Sequence, residues 1–236
     1  MSARMEEIKK TLRKMGDPER AGHAQRYFKT GKGEYGEGDR FIGIRVPALR
    51  QCAKSYAETP LKDALQLLKS PVHEDRMVAL FLMVARFKRG SEQERAAIYR
   101  GYLAHTRYIN NWDLVDCSAP YIVGEHLFDK SRNQLHKLAR SESLWERRIS
   151  IISTFYFIRH DDFTDALALA RTLLHDKEDL MHKAVGWMLR ELGKRNRPEE
   201  EQFLTMYYNE MPRTMLRYAI EKFPERRRKA YLHGTI

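Results

Sequence analysis

Three short segments of this chain carry residue types that could stabilise a cation beside a phosphate backbone. They read Asn-Trp-Asp-Leu-Val-Asp at 111–116, Leu-Trp-Glu-Arg-Arg at 144–148, and Lys-Ala-Val-Gly-Trp-Met-Leu-Arg at 183–190. A carboxylate can oppose a positive charge, an indole ring can face a cation, and an arginine can grip a phosphate with its planar fork. The three segments therefore predict a site that acts on a charged group next to a polyanion.

The spacing of these segments indicates how they could come together. Trp112, Arg148 and Trp187 are separated by 36 and 39 residues, which is close to the roughly 40 residues of a two-helix repeat. In a stack of such repeats, equivalent positions line the same concave surface. We therefore expect the two indoles, the arginine and a carboxylate from the first segment to face one basic groove.

The elements that must position these residues are helices. Apolar residues recur at three to four positions along nearly the whole chain, and no segment alternates as a strand would. We predict an all-α, HEAT-like helical-repeat solenoid, formed by a single domain over residues 1–236 with a Gly-rich loop at 30–43. The predicted helices span 3–15, 18–29, 47–57, 60–68, 74–89, 92–105, 111–126, 131–139, 144–159, 162–174, 178–193, 198–209, 212–222 and 224–232.

The helix that carries the first segment can be read in more detail. Asn110 or Asn111 can cap it, which places Trp112 and Asp113 in its first turn. Asp113 there is explained by the favourable helix dipole alone. Asp116 follows Trp112 by four residues and projects from the same face, so a carboxylate and an aromatic plane become neighbours.

Two further residue patterns predict local features of these helices. Pro120 should bend or end the helix that carries Trp112 early, because proline removes a backbone donor. Ser143 with Glu146 forms a capping-box pattern, which should open the helix that carries Arg148.

The Gly-rich loop contains a nucleotide-binding pattern that we reject. Residues 31–36 read Gly-Lys-Gly-Glu-Tyr-Gly and match the dinucleotide fingerprint, but that motif requires a preceding strand and a following helix. Here a basic amphipathic helix precedes the pattern and a glycine-rich turn follows it. A flexible loop between the first helices is the better interpretation.

The composition indicates a polyanionic partner. The 236 residues carry a formal net charge of +11 and a pI near 9.6, which favours nucleic acid. A membrane is disfavoured because no apolar run approaches roughly 18 residues. We expect a cytoplasmic monomer whose only cysteines, Cys52 and Cys117, are reduced and partly buried.

The same segments resemble the AlkD-type alkylpurine DNA glycosylases, which are HEAT-like repeat proteins of DNA alkylation repair. Arg26-Tyr27, Phe-Ile-Gly-Ile-Arg-Val-Pro at 41–47 and the ending over 211–221 add to the resemblance, which runs from about residue 17 to residue 231. It implies a superhelix that cradles duplex DNA and excises positively charged 3-methyladenine and 7-methylguanine, with no metal and no cofactor.

Motif matching implies a role for each site residue. Asp116 would be the catalytic carboxylate, with Trp112 and Trp187 as aromatic companions, Arg148 as a backbone clamp and Tyr27 as a groove-side contact. The full set of DNA-binding residues that we expect is Tyr27, Arg45, Arg148, Lys183, Arg190 and Lys194.

The chemistry of the lesion fits this residue set. An N3- or N7-alkylated purine is already cationic and leaves readily, so the site needs to stabilise the oxocarbenium-like sugar rather than supply a strong acid. An ionised Asp116 could oppose that charge and orient a water for attack on C1′. The chain departs from the family at Asp179-Leu180, where some members have aromatic residues, and at Arg45, where the residue can be uncharged; either change could alter lesion preference.

Two other classes of function remain open at this point. A non-catalytic helical-repeat scaffold could bind nucleic acid or protein through its basic face, without using the aligned acid and indoles. A metal-dependent phosphohydrolase could be built on His160, Asp161 and Asp162, although no partner ligands are spaced to complete that site.

Overall fold

The structure is a computed structural model that describes residues 2–236. Every regular element over these residues is helical, apart from one isolated parallel bridge between Arg40 and Val72. The predicted all-α class is therefore confirmed. The chain forms two compact units, Met1–Ile122 and Val123–Ile236, which we call the N-terminal unit and the C-terminal unit.

The N-terminal unit is built around one buried helix. Its helices are α1 (Ala3–Lys14), α2 (Pro18–Tyr27), α3 (Val46–Ser55), α4 (Leu61–Leu67), α5 (His73–Arg89), α6 (Glu92–Leu103) and α7 (Trp112–Asp116), with a 3₁₀ turn at Thr106–Tyr108. Helix α5 packs against α3 and α4, and its residues from His73 to Met83 are all buried. Its middle, from Met77 to Met83, is apolar on all sides, as expected of a segment at the centre of a core.

The C-terminal unit has its core between two longer helices. It contains α8 (Glu125–Leu127), α9 (Asn133–Leu138), α10 (Leu144–Ile158), α11 (Thr164–Thr172), α12 (Asp179–Gly193), α13 (Arg197–Tyr207), α14 (Arg213–Ala219), a 3₁₀ turn at Ile220–Lys222 and α15 (Glu225–His233). Helix α12 packs against both α10 and α14. It approaches α14 so closely at Gly186 that a Cβ there would lie 2.4 Å from the carbonyl oxygen of Met215, so only glycine fits.

The expected helix over 111–126 begins where predicted but is interrupted. The side chain of Asn111 caps α7 by accepting the backbone N–H of Trp112 at 2.9 Å. Helix α7 then ends at Asp116, and the chain re-enters helix through a π-helical turn at Pro120–Gly124. The predicted effect of Pro120 is confirmed, because the missing N–H of proline cannot extend the α-helical ladder.

The predicted capping box at the start of α10 is wrong. Ser143 is the residue before the helix, but its side chain makes no capping hydrogen bond. The Glu146 carboxylate instead accepts the Ser141 hydroxyl at 2.6 Å, and that hydroxyl accepts the backbone N–H of Ser143 at 3.1 Å. A serine two residues earlier therefore takes both partners.

The C-terminal end of the Gly-rich loop is bound by a buried acid of α5. Buried Glu74 accepts the backbone N–H groups of residues 42–44 at 2.7 to 3.3 Å. Gly43 adopts a φ of 83° in this arrangement, and a Cβ there would lie 2.1 Å from the Asp17 carbonyl. At this end of the loop a charged acceptor therefore binds three consecutive backbone donors.

Candidate functional site around Trp112 and Asp116

Trp112 lies in the first turn of α7 and is half-buried. Its ring stacks on Phe28, with centroids 5.2 Å apart and planes 18° apart, and meets Tyr27 edge-on at 6.2 Å. Tyr27 remains 68% exposed. The structure thus brings together two of the predicted site residues, Tyr27 and Trp112, although 85 positions separate them in the sequence.

The stack continues into the interior of the N-terminal unit. Phe28 lies 4.8 Å from Phe41, and Phe41 lies 4.3 Å from the imidazole of His73, both in stacked geometry. Offset stacks of this kind are worth about 0.5 to 1.5 kcal/mol per pair beyond the area that they bury. The half-exposed indole of Trp112 is therefore backed by three further rings, those of Phe28, Phe41 and His73, which we call the aromatic column.

Asp116 is the last residue of α7 and is half-buried. It follows Trp112 by one helical turn, so the two side chains project from the same side of α7. Cys117, which comes next, is held as a neutral thiol because burial raises its pKa well above the ordinary value. Asp116 therefore places a carboxylate one helical turn after Trp112, on the same side of α7.

Asp113 takes part in a buried ionic network that the sequence did not predict. Its Oδ2 lies 2.9 Å from Nε2 of His73, and Nδ1 of His73 lies 3.0 Å from Oδ2 of Asp39. Asp39 also accepts hydrogen bonds from Arg76 and, at 3.2 Å, from Asn111. We call this set of five residues the His73 network.

Charge explains the protonation of the His73 network. Burial opposes the charged imidazolium, but the carboxylates of Asp113 and Asp39 outweigh burial and raise the pKa of His73 to about 9. Burial also favours the neutral form of Asp39, yet its contacts with His73 and Arg76 prevail and lower its pKa. His73 is therefore protonated and Asp39 is ionised at neutral pH.

Sequence reasoning missed His73 and Asp39 because neither stands in a recognisable motif. Asp39 lies in the Gly-rich loop, and His73 opens α5 as the first of four consecutive polar residues, His-Glu-Asp-Arg at 73–76. All four are buried. The sequence feature that could have indicated the network is this charged run at the start of a helix that is otherwise largely apolar, because charged residues that become buried need partners.

A cavity of about 200 Å³ lies beside the His73 network. Apolar side chains such as Phe28, Phe41 and Met77 line much of it, and Asp113 and His73 contribute polar atoms. Arg45, which we expected to contact DNA, lies exposed at the start of α3 and also borders this cavity. Exposed Arg20 borders the cavity as well, so the aromatic column, the network and two exposed arginines occur together within the N-terminal unit.

In the C-terminal unit, the predicted residues converge on α12. Trp187 is half-buried on this helix; its ring lies 5.9 Å from Phe155, and its Nε1–H donates to Glu191 at 3.0 Å. Buried Arg148 reaches α12 from α10 by donating to the Leu180 carbonyl at 2.7 Å.

The three remaining predicted cations of the C-terminal unit are each paired with an acid. Lys183 lies 2.7 Å from Asp179, and Lys194 lies 2.7 Å from Glu191. Arg190 pairs with Glu221. These pairs are partly exposed, so they are weak and can exchange an acid for another anion.

The residues of the hypothetical metal site have other partners. Asp161 pairs with Arg195 at 2.6 Å, Asp162 pairs with Arg132 at 2.6 Å, and Nδ1 of His160 binds the Tyr156 carbonyl at 2.8 Å. Over residues 2–236, no three His, Cys, Asp or Glu side chains cluster as a metal site would require. No helix in this part of the chain combines the length and apolar character needed to cross a bilayer.

Comparisons with known proteins agree with this fold. The sequence profile of a family described as DNA alkylation repair enzyme matches residues 8–223. A predicted DNA alkylation repair enzyme from Enterococcus faecalis is 19% identical, with a TM-score of 0.69 over 89% of this chain and 98% of that one. AlkD2 from Streptococcus mutans is 16% identical, with a TM-score of 0.56 over 88% and 99% of the two chains. No curated protein matches the sequence significantly.

Proposed function

This chain belongs to the DNA alkylation repair enzyme family, and we propose that it is a DNA glycosylase that removes positively charged alkylated purines from duplex DNA. The substrates would be 3-methyladenine and 7-methylguanine, and hydrolysis of the N-glycosidic bond would start base excision repair. The observation that carries this proposal is the carboxylate of Asp116 one turn after the half-exposed ring of Trp112.

Asp116 supplies the charge that the reaction needs. An alkylated purine is a cation, so it leaves without help from a strong general acid. As the bond breaks, the deoxyribose gains oxocarbenium character, and an ionised carboxylate next to it lowers the barrier. The same carboxylate orients a water molecule toward C1′. Asp116 is thus the proposed catalytic residue.

The indoles supply selectivity for charge. Trp112 is held by the Phe28 stack, so its exposed face is already oriented before DNA arrives. A cationic base or sugar over such a face gains about 0.5 to 2 kcal/mol. We propose that Trp112 and Trp187 both act in this way and that Tyr27 contacts the DNA beside Trp112. The site would then recognise charge more than base shape.

Basic residues provide the binding step. The net charge of +11 favours a polyanion, and phosphate oxygens can replace the acids that now pair with Lys183, Arg190 and Lys194. Exposed Arg45 can contact a phosphate directly. We also propose a phosphate contact for Arg148, which must reach the DNA while it holds the Leu180 carbonyl. Such contacts position a duplex without reading its sequence.

The test is release of bases from damaged duplexes in the presence of EDTA. We expect the purified protein to release 7-methylguanine and 3-methyladenine, and to leave uracil, hypoxanthine and 1,N6-ethenoadenine in place. Duplex binding without any release would favour a non-catalytic scaffold. Efficient release of a neutral lesion would contradict the charge-based mechanism and indicate a base pocket.

A further inference from the structure

Helix α7 carries the proposed catalytic residue but is only five residues long. So short a helix has little stability of its own, and its position depends on what anchors it. Two residues at the start of α7 are connected by hydrogen bonds to the same carboxylate, that of Asp39. Asn111, the capping residue, donates to Asp39 directly, and Asp113 reaches Asp39 through His73.

His73 is the central member of this arrangement. Both of its ring nitrogens face carboxylate oxygens, at 2.9 and 3.0 Å. An ionised carboxylate only accepts hydrogen bonds, and a ring with N–H groups on both nitrogens is the protonated one. The imidazolium of His73 therefore joins α5, the Gly-rich loop and α7, and it is 2% exposed to solvent.

We propose that His73 is a positioning residue for base excision: by holding Asp113, it fixes the first turn of α7 and so places Trp112 and Asp116 against the DNA. His73 itself touches neither sugar nor base. The inference rests on the proposed glycosylase function, and it adds a residue that lies outside the reacting groups.

The C-terminal unit offers a matched control. His136 lies 2.9 Å from Asp165, and Asp165 also binds Arg132 at 2.8 Å, so the same three residue types meet there. His136 is more exposed than His73, with a side chain 32% accessible. It anchors α9 to α11 in the C-terminal unit, whereas Trp112 and Asp116 belong to the N-terminal unit. Variants at His136 therefore report the general cost of breaking a histidine–carboxylate pair.

Two substitutions of His73 separate its contacts. In His73→Gln the amide nitrogen can occupy the place of Nε2 and keep the bond to Asp113. In His73→Asn it can occupy the place of Nδ1 and keep the bond to Asp39 instead. If His73 acts by holding Asp113, glutamine preserves excision and asparagine does not. A residue needed for folding alone would be damaged by both.

The pH profile gives a second readout. The charged groups that face His73 are Asp39 from the loop and Asp113 from α7, with Arg76 behind Asp39. Glu74, on the same helix, is occupied by backbone donors, and Arg20 and Arg45 lie across the cavity. As pH rises through about 9 the imidazolium loses its proton, and one of its two carboxylate contacts loses its donor.

The experiment measures single-turnover release of 7-methylguanine at saturating protein, together with the indole N–H resonance of Trp112, assigned with Trp112→Phe. We expect His73→Asn to slow release on the order of 100-fold, the cost of a displacement near 1 Å, and to shift that resonance. His73→Gln should keep most of the rate and the resonance. We expect the wild-type rate to fall above about pH 9, when His73 loses its proton, and His73→Gln should not show this fall because its amide does not titrate. His136→Gln and His136→Asn should both release the base at the wild-type rate.

The outcomes are distinct from those that test the proposed function. Equal rates for the two His73 variants, or a wild-type rate in His73→Asn, would overturn the positioning role. So would an unshifted Trp112 resonance in His73→Asn. A wild-type protein that releases no alkylated base would overturn the glycosylase function, and the Trp112 resonance would still decide whether His73 holds α7.

Discussion

The two indoles proposed to contact DNA each precede an acid by four residues, yet their surroundings differ. Trp112 precedes Asp116 on α7, and Trp187 precedes Glu191 on α12. Glu191 accepts the Trp187 indole N–H at 3.0 Å and pairs with Lys194 at 2.7 Å. On α7 the acid directly after Trp112, Asp113, belongs to the buried His73 network. The acid four residues after Trp112, Asp116, lies half-buried at the end of the helix.

This difference teaches that the spacing of an aromatic residue and an acid does not assign a role to the acid. On α12 the carboxylate neutralises cations and orients its indole. On α7 the His73 network holds Asp113 in the first turn, and Asp116, one turn after Trp112, is the acid that we propose for the chemistry. The predictions below test this division of roles.

The largest effect is expected from removing the proposed catalytic charge. Asp116→Asn should slow release of 7-methylguanine by about 10²- to 10³-fold, because it removes a charge that stabilises the transition state. Duplex affinity and melting temperature should change little, since the side chain stays almost isosteric. Single-turnover kinetics measure the rate, and fluorescence anisotropy measures the affinity.

Glu191→Gln is the matched control, because it removes the acid that follows the other indole. We expect it to release 7-methylguanine at close to the wild-type rate. An equal loss in both variants would show that the two acids are equivalent. A loss in Asp113→Asn with none in Asp116→Asn would move the catalytic role to the first turn of α7.

A smaller effect separates the two indoles themselves. Trp112→Leu removes a stacked contact with Phe28 and an edge contact with Tyr27, whereas Trp187→Leu removes a tilted contact with Phe155. We expect Trp112→Leu to lower the free energy of unfolding by about 1 kcal/mol more than Trp187→Leu. Urea denaturation measures this difference, and both variants should excise more slowly. Equal destabilisation by the two substitutions would show that stacking in the aromatic column adds no stability beyond that of the Trp187 contact.

The smallest effect concerns Arg148. Affinity for undamaged duplex should fall on the order of 10³-fold between about 50 and 200 mM salt if about six phosphates are bound. Arg148→Ala should lower the salt slope by about one contact, as should Arg45→Gln at an exposed position. If Arg148→Ala lowers the melting temperature and leaves the slope unchanged, Arg148 is a brace for the Leu180 carbonyl and not a phosphate clamp.

The helices could be predicted from the sequence because their signals are local. A period of three to four residues located every long helix within a few residues; α5 was expected at 74–89 and lies at His73–Arg89. Asn111 and Pro120 acted as their local chemistry requires. The error at Ser143 is of a different kind, since an equally local competitor, Ser141, accepted the backbone N–H and donated to Glu146.

The proposed site could be predicted only in part. The sequence by itself placed Trp112 and Asp116 on one side of a helix, since residues four apart are neighbours there. Tertiary structure alone decided what surrounds them: Tyr27 and Phe28 come from a helix far away in sequence, and a histidine forty residues before Asp113 binds it. Such contacts depend on which helices pack together, and the apolar period marks the face that a helix buries but does not identify the helix that it packs against.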